Sequence, residues 1–140
     1  MQYLKKVPEV VVFFDCLHHA VDEVGALNSA FRALKPGGIC ITSEPGWGHE
    51  RRSAAIAAEF DVTERDMHPA KIIRAGKKVG FHSFSVHPHA HYLYIALYRQ
   101  QQRGLLGKLL RIPGMRALAA MATVLVSKHQ AGIVVLKKPG

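Results

Sequence analysis

The segment VVVFFDCLHHAVDEVGALNSAFRALKPGGICITSEP, residues 10–45, limits what this chain can fold into more than any other stretch. It opens on VVVFF (Val10–Phe14), a short β-branched and aromatic run with no polar alternation. Such a run reads as a strand buried on both faces, as in a parallel sheet covered by helices. Asp22 is placed to cap the next helix, where Val24, Leu27, Phe31 and Leu34 fall three or four apart and form one apolar stripe. LKPGG (Leu34–Gly38) stops that helix, because Pro cannot continue it and Gly takes the left-handed turn. ICITSEP (Ile39–Pro45) then reads as a second strand, which makes the segment a right-handed βαβ unit.

The remaining pattern continues in the same style. HERRSAAIAAEF (His49–Phe60) reads as an alanine-rich helix, and HPAKIIRAGKKVGF (His68–Phe81) as another that ends at Gly80. FHSFSVH (Phe81–His87) follows as a strand stopped by Pro88, with a continuation at YLYIALY (Tyr92–Tyr98). The leucine-rich stretch Arg103–Val126 reads as two short helices hinged at Pro113–Gly114. Their stripes are Leu105, Leu106, Leu109 and Leu110, then Met115, Leu118, Ala122 and Leu125. AGIVVLKK (Ala131–Lys138) closes the chain as a last buried strand. The class is α/β, and 140 residues at 49% hydrophobic and 21% charged suit one folded domain.

A formal net charge of +9 favours anionic partners without choosing among them. No recognition motif or basic–aromatic interleaving supports specific nucleic-acid binding. Arg103, Lys108, Arg111 and Arg116 beside the leucine stripes leave three readings open: a helical hairpin covering the sheet, a lid over an acceptor site, and, least favoured, a membrane surface. Cys16 and Cys40 form no C-x-x-C pair, which points to reduced thiols and a cytoplasmic location. MQYLKKVPEV lacks the pattern of a signal peptide, and the uncharged apolar stretch Ala117–Ser127 is far below the roughly 20 residues that span a bilayer.

Taken in order, FFDCLHH, LKPGG, SEPGWGHE, KKVGF and AGIVVLKK resemble the later half of class I S-adenosylmethionine-dependent methyltransferases. The resemblance covers roughly residues 9–87 and 131–138, with Tyr92–Gln130 as a family-variable insertion, helical over about 99–130. It implies a truncated Rossmann-like methyltransferase sheet with flanking helices and a helical insertion before the last strand, all one partial domain over residues 1–140. The family's glycine-rich cofactor loop and ribose-binding acid precede the strand that VVVFF matches, and nothing before Val10 supplies them. Met1 is accordingly read as an internal methionine of a longer frame. Without its first-strand partner, Val10–Phe14 becomes an edge strand that invites a homodimer.

The resemblance also assigns residues. Phe14, Asp15, Cys16, Leu17 and His18 follow the first strand and would line the methionine part of S-adenosylmethionine. His18, Glu44 and His49 are the candidates for proton transfer, and Trp47 stands on the substrate side. The competing readings are that His18 and His19 merely start a helix, that Glu44 caps the helix beginning near His49, and that Trp47 plugs the core. No metal site is expected: adjacent histidines diverge, and HPHAH (His87–His91) is interrupted by Pro88 without a completing acid or cysteine. The functional expectation is the C-terminal portion of a transferase acting on a small-molecule acceptor, inactive as this chain alone. The alternative is a non-catalytic remnant that serves as a dimerisation or anionic membrane-surface module.

Overall fold

The computed structural model describes residues 7–88, 105–130 and 132–140. In chain order the elements are β1 (Val10–Phe14), a 3-10 turn (Leu17–His19), α1 (Glu23–Ala33), β2 (Ile39–Ser43), α2 (His49–Phe60), α3 (Pro69–Val79) and β3 (Ser83–Pro88). After them come α4 (Leu105–Leu109), α5 (Met115–Gln130) and β4 (Gly132–Lys137). The strands form one sheet in the order β1-β2-β4-β3. β1 and β2 run parallel across the α1 crossover, and β4 enters antiparallel to both of its neighbours.

Register explains which face is covered. Val11 pairs with Cys40 and Phe13 with Thr42, and these rows continue through Leu136 to Phe84 and through Val134 to Val86. Because side chains alternate along a strand, those eight residues share one face. Leu27, Ala30 and Leu34 of the first helical segment and Ile72 and Ala75 of α3 join that face in the core, with Met67 and Phe81. Gly76 allows α3 to lie close, since a Cβ there would strike the Leu136 side chain and stand 3.1 Å from Phe84. Lys138 ties the end of the chain to α1, donating to the carbonyls of Phe31 and Leu34 at 2.8 and 2.6 Å. A cation there suits the negative end of the helix.

Among the described residues, the opposite face is less covered, most of all at β1. Val10, Val12 and Phe14 are 46%, 57% and 67% exposed, and Ile39, Ile41, Ile133 and Val135 are only half-buried. The unbroken apolar run thus does not mean burial on both faces here: β1 lies at the edge of the sheet, covered on one side.

Most local expectations hold. Asp22 caps α1 by accepting from the Gly25 amide at 2.9 Å, and α2 spans His49–Phe60 as read from the sequence. Gly80 ends α3 in the left-handed region at φ 115°, and Gly114 sits between α4 and α5 at φ 84°. Pro88 does not stop β3 but is its last residue, opposite Gly132. The stripes of the two late helices are corrected more sharply. Leu110 is buried, yet Leu105, Leu109, Leu118, Ala122 and Leu125 are exposed and Met115 is half-buried. α5 nonetheless lies against α3, β3 and β4. The segment Tyr92–Tyr98, with His89 and His91, lies outside the described residues. Among the described residues, no helix is long and apolar enough to cross a membrane.

Candidate active site

The site lies at the carboxyl ends of the parallel strands β1 and β2, where open α/β sheets bind ligands. Asp15 extends the pairing by donating its amide to the Ser43 carbonyl at 2.9 Å. It then turns the chain at φ 45°, a left-handed conformation that Asp tolerates better than most residues. The turn delivers three successive amides to one carboxylate. Glu44 Oε1 accepts from Cys16 and Leu17 at 3.2 and 2.8 Å, and Oε2 accepts from His18 at 3.2 Å. The His18 ring adds a fourth bond, Nδ1 to Glu44 Oε2 at 2.7 Å.

The Glu44 side chain is fully enclosed, so these bonds replace its water shell. Glu44 therefore holds the post-β1 segment in place; it does not cap α2. That cap belongs to Asp66, which accepts from the Gly48 and Glu50 amides at 3.0 and 2.9 Å. Burial tends to raise the Asp66 carboxyl, but the backbone amides of Glu50, Gly48 and His49 and the His49 imidazole leave it below the ordinary value.

The expected residues gather unevenly. Leu17 and His18 are buried, whereas Phe14, Asp15 and Cys16 are exposed along the same edge. His18 and His19 lie in the short 3-10 helix Leu17–His19, with ring centroids 3.9 Å apart. His49, the first residue of α2, meets His18 edge-on at 5.0 Å. Trp47 is no core plug: it is 58% exposed and stacks on His68 at 4.0 Å with a 6° tilt. Desolvation of Cys16, reinforced by the Glu44 and Asp15 carboxylates against a bond from the Phe14 backbone, pushes its thiol up. Burial pushes the Cys40 thiol up to about 12, so neither thiol is poised as a nucleophile.

Sequence reasoning missed Glu64. Its carboxylate reaches His49 Nε2 at 2.6 Å, His18 Nε2 at 3.5 Å and His19 Nδ1 at 3.5 Å. Nothing in VTERD marks Glu64, because the loop after α2 must return to the sheet edge before the contact exists. His68 was also missed as a site residue. It caps α3, accepting the Lys71 amide at Nδ1 over 3.3 Å. Beside it, a cavity of about 530 Å³ between α1 and α3 is lined by Trp47, His68, Glu23, Lys71, Arg74 and Lys78.

No family model matches the sequence, and no curated protein matches it. Solved structures do match. Haemonchus contortus phosphoethanolamine N-methyltransferase 2, solved with S-adenosyl-L-methionine, is 18% identical with a TM-score of 0.58, over 94% of this chain and 33% of that one. A chain of the complex between the Haloferax volcanii Trm112 methyltransferase activator and a methyltransferase is 15% identical with a TM-score of 0.56, over 94% of this chain and 54% of that one. The [4+2]-cyclase SpnF is 17% identical with a TM-score of 0.51, over 99% of this chain and 53% of that one. The fold is thus that of the class I S-adenosylmethionine-dependent methyltransferases, in its truncated Rossmann-like form. This chain spans between a third and just over half the length of these three matched chains.

Proposed function

We propose that this chain is the C-terminal portion of an S-adenosylmethionine-dependent methyltransferase that acts on a small-molecule acceptor. The observation that carries the reading is the Glu44 clasp, which fixes residues 16–18 at the carboxyl edge of β1. Phe14, Asp15, Cys16, Leu17 and His18 form the wall facing the methionine part of the cofactor, and Trp47 stands on the acceptor side. In the transfer, an acceptor lone pair attacks the methyl carbon as the carbon–sulfur bond breaks, leaving S-adenosylhomocysteine. The protein's share is orientation and, where the acceptor carries a proton, a base. His18 and His49 are the candidate bases. Glu44, enclosed and bonded four times, positions His18 instead of taking the proton itself.

Turnover belongs to the complete methyltransferase domain, and the reading for residues 1–140 is confined to the cofactor wall and the acceptor side. The fold by itself does not fix the reaction, since a [4+2]-cyclase also carries it. A cytoplasmic location goes with this reading, because both cysteines are free thiols. Calorimetric titration with S-adenosylmethionine tests the reading. Weak saturable heat in the millimolar range is expected, and none from a chain shown to be folded would reject the cofactor wall.

The less covered face of the sheet supports a second reading, an interaction module. Val10, Val12 and Phe14 offer an uncovered apolar edge to a second copy of the chain. The exposed leucines of α4 and α5 beside Lys108, Arg111 and Arg116 would suit an anionic membrane surface less specifically. Salt-sensitive binding to anionic vesicles without any cofactor heat would favour this reading over the first.

A further inference from the structure

We infer that His18, His49 and Glu64 form a site for a divalent transition-metal ion, with two imidazole nitrogens and one carboxylate oxygen as ligands. Their ligand atoms all lie within 4.8 Å of one another, and the three residues come from the post-β1 turn, the start of α2 and the loop after it. The proposal does not rest on methyl transfer.

The His18 side chain is 6% exposed, and Nδ1 gives its proton to the enclosed Glu44 carboxylate at 2.7 Å. In the neutral imidazole that bond places the free lone pair on Nε2, which stands 3.5 Å from Glu64 Oε2. A lone pair close to an ionised oxygen is unfavourable, and a cation held by both atoms, a proton on Nε2 or a metal ion, removes the conflict. A carboxylate behind a histidine is also the arrangement that orients imidazole ligands and raises their basicity at metal centres.

Charge points the same way. The Glu44 and Glu64 side chains are 0% and 10% exposed and flank the two ring nitrogens of His18, and among the described residues no Lys or Arg pairs with either. One dication balances both.

Geometry fits a small ion. Bonds of about 2.1 Å in tetrahedral coordination set ligands roughly 3.4 Å apart. His18 Nε2 and Glu64 Oε2 already stand at 3.5 Å, whereas His49 Nε2, at 2.6 Å from the same oxygen, must give up a direct hydrogen bond and draw back. Two nitrogens and one oxygen leave at least one position open, as in catalytic rather than structural zinc sites. The neighbouring set Asp15, His18 and Glu44 is the poorer choice, because three backbone amides already occupy Glu44. An ion on His18 and His49 takes the lone pairs that either candidate base would use, so metal binding and proton transfer are alternatives at both rings.

The test is calorimetric titration of the metal-free chain with Zn2+, without cofactor. One equivalent should bind, and His49→Ala and Glu64→Gln should each weaken binding at least tenfold while circular dichroism shows the fold retained. Combined replacement of His87, His89 and His91 by Ala should leave affinity unchanged. Absence of binding at millimolar Zn2+, equal affinity in His49→Ala, or loss of binding in the His87, His89 and His91 variant would each overturn the site.

Discussion

At the scale of single residues, His68 does two things at once. Its Nδ1 accepts the Lys71 amide to cap α3, and its ring carries the stacked indole of Trp47. Desolvation, with Lys71 and Arg74 nearby and only Asp66 opposing, holds its pKa below the ordinary value. A protonated Nδ1 cannot accept that amide, and a cation is unfavourable at a helix N-terminus. The cap therefore contributes stability that is complete above the unfolded imidazole's value of about 6.5 and is lost as pH falls through the lower folded value. Trp47 is the one tryptophan of the chain, so its fluorescence reads this step directly. The emission should titrate with a midpoint below that of free imidazole, and His68→Gln should abolish the transition. A midpoint at or above the free value would contradict the capped, neutral state. The sequence marks Trp47, Glu44 and residues 16–18 as site residues, but neither His68 nor the bonds between Glu44 and residues 16–18. Trp47 needed His68 and Glu44 needed the amides of residues 16–18, and both contacts exist only after the strands have paired.

At the scale of elements, the local code was strong where backbone chemistry decides. Asp22, Gly80 and the boundaries of α2 were readable because caps and left-handed turns demand particular residue types. It was weak where neighbours decide. VVVFF carries no mark of being an edge, since an apolar strand looks the same whether its second face is covered or not. The stripe of α5 was misjudged for the same reason, with Leu118 and Leu125 facing out. β1 should accordingly drive self-association. Val12→Lys places a charge in the middle of the exposed row and should shift sedimentation-velocity profiles from dimer to monomer without loss of secondary structure. A wild-type chain that sediments as a monomer at high concentration would remove this edge from the account.

At the scale of the whole molecule, one half of a layered fold is visible. Helices α1 and α3 seal one face of the sheet, and the site stands at the carboxyl edge where β1 and β2 end. Fold class was legible because the βαβ unit, LKPGG and AGIVVLKK occur in order, and the solved structures share the fold. The central claim is that the clasped turn at residues 14–18 meets the cofactor. Backbone amide shifts on adding S-adenosylmethionine to the isotopically labelled chain measure this directly. The shifts should concentrate at residues 14–18 and at Glu44. Shifts confined to Lys71, Arg74 and Lys78 in the basic cavity, or none at all, would contradict that claim.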